Sequence, residues 1–406
     1  MKTIFKIAWR NVWRNKLRSG MVITSIALGI WSGLFVMSIV IGLNSQRMNG
    51  AIKYSLSHTQ IHNPKFLDDY NKKYSIENPI EIFHYIENNK KVKAYSARSV
   101  VSGMASTARG SEAILINGID TEQEKQVTAI SESLVEGTYL NKFKKNPVLI
   151  GKHLADKLGL KVKSKIIINF QDKENNVISS SFRVEGIYKS NSDMLDALTV
   201  FVRKADIDKL AGLKGAIHEI ALVYKDIQDI EKENLKLKEF SGTNQVQSWA
   251  EISPELGFAN EFMSLFVYIF MGIILLALAF GVINTMLMAV LERKRELGML
   301  MSVGMNKKKL FYMIMYETLF LSLIAAPIGI ILSIITINYF GNHGIDLTMF
   351  AEGLGSLGIG SFIYTSLTFD LYINIIILTI AIAFGSSIFP ALRALKLNPA
   401  ESVRAL

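Results

Sequence analysis

The chain is organised around the stretch Glu292-Arg-Lys-Arg-Glu-Leu-Gly-Met-Leu-Met-Ser-Val-Gly-Met-Asn-Lys-Lys-Lys-Leu310, which is charged at both ends. An apolar run long enough to cross a bilayer lies on each side of it. Within the stretch, apolar residues recur at three- and four-residue spacing, which predicts one apolar face of a helix. These residues are Leu297, Leu300, Met301 and Met305. The stretch is too charged to span a membrane, so we interpret it as a lever between two spans on which a soluble partner acts.

Composition excludes several classes of protein. Half of the 406 residues are apolar and the mean hydropathy is +0.27, which is too apolar for a wholly soluble chain. The absence of cysteine excludes a disulfide framework and a thiolate metal site. The formal charge of +10 does not indicate a nucleic-acid partner, because residues 44–261 hold 30 basic and 28 acidic residues. The excess positive charge flanks the apolar runs, where it fixes topology.

Four apolar runs divide the chain, and the charges beside them predict its orientation. Six basic residues and no acidic residue precede the first run, which places the N-terminus in the cytoplasm and residues 44–261 outside. We therefore predict an α-helical membrane protein with one transmembrane helix before, and three after, a mixed α+β extracytoplasmic domain. The predicted segments are a cytoplasmic interfacial helix (1–20), four transmembrane helices (21–43, 262–291, 311–340 and 371–390), the outer domain (44–261), the connector (292–310), an outer loop (341–370) and a cytoplasmic tail (391–406).

The first 20 residues predict an amphipathic helix that lies in the membrane interface. Its apolar face carries Trp9 and Trp13. Basic residues repeat every four positions on the opposite face, at Lys6, Arg10, Arg14 and Arg18. The alternative is the start of a signal peptide, but the apolar run that follows is too long and lacks a cleavage site of small residues.

Residues 44–261 are soluble in composition and predict two subdomains of mixed strands and helices. The predicted strands are Thr59–His62, Glu112–Asn117, Lys165–Asn169, Phe182–Tyr188, Thr199–Val202 and Glu219–Tyr224. The predicted helices are Pro79–Asn88, Lys152–Leu158, Lys204–Leu210 and Ile227–Phe240.

Two features of the apolar runs bear on mechanics. A helix over 262–291 would be about 45 Å long, so it should project beyond the bilayer as a rigid rod between the connector and the outer domain. In the first run, Ser25, Gly29 and Gly33 are spaced by four and predict close helix–helix contact. Chance spacing in a run that contains glycine and serine is the equal alternative.

No motif in the chain predicts an enzyme. Gly353-Leu-Gly-Ser-Leu-Gly358 matches a dinucleotide fingerprint, but no strand-to-helix unit surrounds it, and the chain has no phosphate-binding loop of its own. His58 and His62 lack a third metal ligand nearby, so we predict a solvated pair of strand residues. We therefore predict no catalytic residue, no bound cofactor and no metal site.

Two polar residues inside the apolar runs need partners. Glu317 lies near the predicted cytoplasmic end of the third span, where structural pairing with Lys307, Lys308 or Lys309 is favoured over a role in transport chemistry. Asn284, in the second span, is more typical of a hydrogen bond between helices than of a substrate ligand.

Three motifs resemble the FtsX-like ABC permeases of the MacB and LolC/LolE type. The connector from Glu292 to Lys309, followed by Glu317, is similar to that family's cytoplasmic loop. The opening Ala8-Trp-Arg-Asn-Val-Trp-Arg-Asn-Lys-Leu-Arg18 and the closing Pro390-Ala-Leu-Arg-Ala-Leu-Lys-Leu-Asn-Pro-Ala-Glu-Ser-Val-Arg404 are similar to its termini. With the layout of one plus three spans, the resemblance covers nearly the whole chain.

The resemblance implies a permease subunit that pairs with a second permease chain and with two copies of a separate ATPase, which binds the ATP and the Mg²⁺. In this family, closure of the ATPases moves the outer domains through long helices, which is called mechanotransmission. The resemblance implies that the coupling residues are Glu292, Arg293, Arg295, Glu296, Gly298 and Gly304. The alternative is that these charges serve only to fix topology.

Within the family, the outer domain is most similar to the lipoprotein-releasing permeases. The similarity rests on Leu149–Leu160, Phe182–Ile187 and His58–Pro64. This branch implies a bacterial inner-membrane protein that hands acylated lipoproteins to a periplasmic carrier. A MacB-like exporter with a separate ATPase and a non-transporting protein that signals or regulates a hydrolase remain as alternatives.

Overall fold

The computed structural model describes residues 2–141, 144–356 and 358–396. Its contacts divide the chain into two units, which are described separately below. The membrane unit comprises Met1–Asn44, Phe262–Asp346 and Phe362–Leu406, and the outer unit comprises Ser45–Glu261 and Leu347–Ser361. The predicted tail from residue 397 onward, including Arg404 of the closing motif, lies outside the described residues.

The bounds of the elements are as follows. The helices are α1 (Lys2–Arg14), α2 (Lys16–Ala51), α3 (Phe66–Asp69), α4 (Pro79–Asn88), α5 (Thr121–Val127), α6 (Lys152–Leu158), α7 (Asp193–Leu198), α8 (Lys204–Leu210), α9 (Ile230–Phe240), α10 (Trp249–Ile252), α11 (Pro254–Glu292), α12 (Lys294–Ser302), α13 (Lys307–His343), α14 (Ala351–Ser356), α15 (Phe369–Ser386) and α16 (Ile388–Leu395). The strands are β1 (Thr59–His62), β2 (Val92–Thr107), β3 (Gly110–Ile119), β4 (Leu134–Gly137), β5 (Pro147–Gly151), β6 (Lys165–Gln171), β7 (Val177–Tyr188), β8 (Thr199–Arg203), β9 (Glu219–Tyr224), β10 (Gln245–Ser248), β11 (Ile345–Asp346) and β12 (Phe362–Ile363).

Four helical segments of the described chain are long and apolar enough to cross a membrane. They are Ser19–Leu56, Pro254–Glu292, Lys307–His343 and Phe369–Leu395. The predicted membrane fold of one plus three helices is confirmed. Each helical segment is longer than the apolar run from which it was predicted, because polar residues at both ends continue the helix. The 39 residues of α11 give a helix about 58 Å long.

The core of the membrane unit is built from α1, α2, α11, α13, α15 and α16. The N-terminal helix α1 packs on α13 through the buried side chains of Ile4, Ala8 and Val12. Trp9 and Trp13 remain exposed, although the Trp9 ring meets the edge of Phe320 at 5.2 Å between centroids. The predicted apolar face of α1 is therefore split between packing on α13 and an exposed row of aromatic rings.

The outer unit contains two sheets that share one strand. The smaller sheet has the antiparallel order β10-β1-β9-β2, in which Ile61 of β1 pairs with Val246 and Ile220. Helices α4 and α9 belong to this part of the domain, where Ile82 and Leu237 are buried in the same cluster as Ile61. Sixteen residues long, β2 then continues into the second sheet.

The second sheet closes on itself. Strands β2, β3, β8, β5, β7 and β6 pair in that order, and β6 returns to β2. Alternate residues such as Ile166 and Ile168 of β6 point inward and are fully buried, which is the two-residue period of a strand with one face in a core. The prediction of a mixed domain with two subdomains is confirmed, although the predicted strands omitted β2, β4, β5 and β10.

A buried cluster of charges lies where β2 passes from one sheet to the other. Arg98 donates to Glu124 Oε1 from Nη2 at 2.6 Å and also binds Glu219, and all three side chains are buried. His62 Nε2 lies 3.5 Å from Glu219 Oε2, and His62 is 1% exposed. The prediction of a solvated histidine pair is wrong for His62, because its ring stacks on the buried ring of Phe66 and faces this cluster.

Candidate functional site

The connector folds as the short helix α12, followed by a tight turn that leads into α13. Its helix α12 buries Leu297, and Leu300, Met301 and Met305 are partly buried against the core of the membrane unit. The apolar face predicted from their spacing therefore exists and packs inward.

The turn between α12 and α13 is fixed by a glycine and an asparagine. Met305 N–H donates to Leu300 O at 3.0 Å and Gly304 N–H donates to Met301 O at 3.1 Å, which is the Schellman pattern of a helix C-terminus. Gly304 has φ +95°, a backbone conformation that favours glycine. Asn306 then caps α13 by accepting from Lys308 N–H at 3.1 Å. This turn sets the angle at which the connector meets the third span.

Three helices meet at a chain of alternating charges that we name the coupling network: Arg14, Glu296, Arg293 and Glu317. Arg14 of α1 donates to Glu296 of α12. Arg293 Nε donates to the other oxygen of Glu296 at 3.0 Å, and Arg293 Nη1 donates to Glu317 Oε2 of α13, also at 3.0 Å. The hydrogen bond from Arg14, followed by the one from Arg293, holds the pKa of Glu296 below its usual value. The network ties α1, the connector and the third span together.

The pairing of Glu317 differs from the prediction. Glu317 is buried in the third turn of α13 and binds Arg293, whereas Lys307, Lys308 and Lys309 are exposed in the first turn. A structural ion pair was predicted, but its partner was wrong, because the lysines lie too near the helix start to reach the buried face. Sequence reasoning also missed Arg14, whose only signal was its place in the basic repeat of α1.

The remaining predicted coupling residues divide by exposure. Glu292 and Arg295 are exposed, as are the apolar side chains of Met299 and Val303, and Val303 is 88% exposed. Gly298 is buried in α12, where its carbonyl accepts from Ser302 Oγ at 3.0 Å. The exposed side chains form a mixed apolar and charged surface on the connector, which suits a soluble protein partner.

The small-residue face of α2 lies against α11. A Cβ atom built on Gly29 would overlap Leu278 Cδ1, and one built on Gly33 would lie 3.1 Å from Ile274 Cγ2. The two helices therefore approach closely because these positions are glycine. Ser25, at the third predicted position, instead bonds the carbonyl of Met21 in its own helix at 2.8 Å.

Two adjoining grooves follow this contact. One, of about 740 Å³, is lined by residues from Lys16 to Leu28 of α2 together with Thr285, and the other, of about 280 Å³, lies between Ser25–Ser32 and Ile274–Val282. Asn284 of α11 is exposed and bonds no described residue, so the predicted hydrogen bond between helices is absent within the described part of this chain. The described residues contain no group of three or more histidine, aspartate or glutamate side chains that could hold a metal ion.

Comparisons with known proteins assign the chain to a family. The model of the MacB-like periplasmic core domain matches residues 19–238, and the model of the FtsX-like permease C-terminal domain matches residues 268–399. The chain is similar to the uncharacterized ABC transporter permease MJ1507 of Methanocaldococcus jannaschii, with 27% identity over 66% of this chain and 65% of that protein. It is also similar to the lipoprotein-releasing system transmembrane protein LolC of Haemophilus influenzae, with 22% identity over 97% of this chain and 96% of that protein.

Among solved structures, the periplasmic region of MacB from Actinobacillus actinomycetemcomitans matches 51% of this chain and 95% of that chain, with 13% identity and a TM-score of 0.36. The core-domain model covers more than half of the chain, and the permease model covers the spans that follow it. The chain belongs to the FtsX-like ABC transporter permeases with a MacB-like periplasmic core domain, so it is a membrane protein with an extracytoplasmic domain.

Proposed function

We propose that this chain is a permease subunit that releases lipoproteins from a bacterial inner membrane by mechanotransmission. The coupling network is the observation that carries the proposal, since it joins the connector to two further helices of the membrane unit. The similarity to lipoprotein-releasing proteins over nearly the full chain supports this branch of the family. ATP and Mg²⁺ would bind to a separate ATPase dimer, and a second permease chain would complete the complex.

The proposed stroke starts at the connector. The ATPase would contact the exposed surface of Glu292, Arg295, Met299 and Val303 on the cytoplasmic side. Because α11 ends at Glu292 and is a continuous helix from Pro254, displacement of α12 would move the whole of α11. A helix transmits an axial push with little loss because its backbone hydrogen bonds run along its axis. The long segment of the outer unit, Ser45–Glu261, ends within the first turns of α11 and would move with it.

The grooves beside α2 and α11 would hold the acyl chains of the cargo. Their lining is mostly apolar or small, and they are open at the surface of the membrane unit. Acyl chains need apolar contact rather than hydrogen-bond donors, and each buried methylene group contributes about 0.8 kcal/mol. The cargo would therefore be recognised by its lipid, and a periplasmic carrier would receive it.

A reconstituted complex tests the proposal. The chain, its ATPase and a fluorescent triacylated lipopeptide are placed in nanodiscs, and we expect lipopeptide to leave the bilayer only when ATP is hydrolysed. Glu292→Lys should reduce release per ATP hydrolysed by about tenfold, because it reverses a charge at the partner surface. Glu231→Lys, which reverses an exposed charge in the outer unit, is the matched control and should leave release per ATP hydrolysed unchanged. Hydrolysis without release in the wild-type complex would contradict the proposal.

The match to the MacB-like core domain favours one other function, which is export of a peptide or toxin through an outer-membrane channel. An exporter of that kind needs a periplasmic adaptor. Co-purification of the chain with such an adaptor, and no release of lipopeptide, would favour export.

A further inference from the structure

Most of the outer loop between the third and fourth spans belongs to the outer unit rather than to the membrane unit. Strands β11 and β12 form a two-stranded ribbon at its base, where Ile345 pairs with Ile363. Beyond the ribbon, Leu347 N–H donates to Ser361 O at 2.8 Å, and the chain between them belongs to the outer unit. We name its described residues, 347–356 and 358–361, the strap.

The strap packs closely on α7 at one glycine, Gly355. Helix α14 of the strap contacts α7, and a Cβ atom built on Gly355 would lie 2.8 Å from Asp193 Cγ and overlap one of its oxygens. A Cβ atom on Gly353, two residues earlier, would meet nothing within 4 Å. The glycine pattern that resembles a dinucleotide fingerprint therefore serves close packing at Gly355.

One asparagine separates the strap from the outer end of α2. A Cβ atom on Gly360 would lie 3.6 Å from Asn191 Oδ1, and a Cβ atom on Gly50 would lie 3.6 Å from Asn191 Cβ. Gly50 is the penultimate residue of α2. The strap and the end of the first long helix thus both lie beside the same side chain.

The segment that carries Asn191 is held firmly. Asp196 accepts from Ser190 Oγ at 2.7 Å and from Ser190 N–H at 3.0 Å. Ser192 N–H donates to Ser190 Oγ at 3.0 Å, and the hydroxyl of Ser192 caps α7. A segment fixed by this many buried hydrogen bonds passes a displacement on rather than absorbing it.

We propose that the strap is a second mechanical link, which carries movement of the third and fourth spans to the outer unit through Asp193 and Asn191. This inference rests on the proposed ATP-driven stroke. It adds to the α11 route a path from α13, and hence from the coupling network at Glu317, to α7. Because the strap and α2 contact the same asparagine, the outer unit receives both movements at one place.

Cysteine pairs test whether the strap is docked in the 406-residue chain, whose sequence contains no cysteine. Asn191→Cys with Gly360→Cys should cross-link on mild oxidation, as should the positive control Asn191→Cys with Gly50→Cys, whose Cβ separation suits a disulfide. Asn191→Cys with Gly353→Cys is the negative control and should not cross-link. Cross-linking of the Gly50 pair without the Gly360 pair would overturn the proposal.

Hydrogen exchange tests whether the docked strap transmits movement. In the ATPase complex, trapping with ATP and vanadate should change the exchange rate of the peptide covering Ser190–Leu198 by at least about twofold. Gly355→Ala should weaken that change, because its methyl group displaces the Asp193 carboxylate, whereas Gly353→Ala should retain it. Exchange changes in α12 without any in Ser190–Leu198, or an unaltered response in Gly355→Ala, would overturn the proposal that the strap transmits movement. Absence of an ATP-dependent change everywhere would instead refute the proposed stroke.

Discussion

Replacing Glu317 with leucine tests whether the coupling network is structural. The substitution removes two hydrogen bonds, of 3.0 and 3.2 Å, from Arg293, which is largely buried. Removing one partner of a buried ion pair typically costs about 3–5 kcal/mol. Arg293 keeps its bond to the partly exposed Glu296, so we expect a loss near the lower limit, about 3 kcal/mol.

A double-mutant cycle isolates the pair. Arg293→Met combined with Glu317→Leu leaves no unpaired buried charge, so its free energy of unfolding should lie within about 1 kcal/mol of the wild-type value. Glu296 remains paired with Arg14 in this variant. The free energies would be measured in lipid bicelles by steric trapping of the unfolded chain. Lys308→Met, which removes an exposed charge from the same helix, should leave stability unchanged.

Two results would refute the reasoning. If the double substitution cost as much as the sum of the single ones, the two side chains would not be energetically coupled. If the double variant were stable and hydrolysed ATP but released no lipopeptide, Glu317 would have a role in transport beyond pairing.

Three further predictions concern other positions. Gly29→Ala should destabilise the membrane unit by about 1–3 kcal/mol, because the added methyl group would overlap Leu278. Gly281→Ala on the facing helix is the control, since a methyl group there would enter open space, and steric trapping measures the stability of both variants. Gly304→Ala should cost about 1 kcal/mol in the same assay, since alanine is disfavoured at φ +95°, and an unchanged stability would show that the turn relaxes. Burial alone would raise the pKa of Glu219, but Arg98 outweighs it and lowers that pKa to about 2. The stabilisation from Glu219 is therefore complete above its ordinary value of 4.5 and is lost as the pH falls towards 2, so the thermal midpoint of the outer unit should drop across this range, and Glu219→Gln should flatten the drop.

The sequence predicted elements whose signals are local. Strands β1 and β9 and helices α4, α6 and α8 have the predicted bounds, because each is a short periodic run between turn residues. Strand β2 was missed because it contains Arg98 and Gly103. Each residue suits a buried strand only because of a contact with a distant segment. Arg98 binds two buried glutamates. Gly103 lets β6 approach closely, because a Cβ atom at position 103 would lie 2.7 Å from Asn169 O.

The candidate site shows the same limit. The apolar face of α12 and the presence of an ion pair at Glu317 followed from spacing and from the cost of an unpaired charge in a membrane. The partner did not, because Arg293 lies 24 residues away and is brought close only by the turn at Gly304 and Asn306. Contacts to Arg14 depend on packing between helices that are far apart in the sequence, which no local pattern encodes.

The closed ring of strands determines how the outer unit can yield under load. An open sheet unzips from an edge, one hydrogen bond at a time, but the ring closes through β2, whose residues Gly103–Ser106 pair with both β3 and β6 while its first half pairs with β9. A pull on β2 must therefore shear several ladders together, which makes rupture slow compared with strand-by-strand peeling. The proposed ATP-driven stroke would thus load the outer unit in shear, across several strand ladders at once, rather than by peeling.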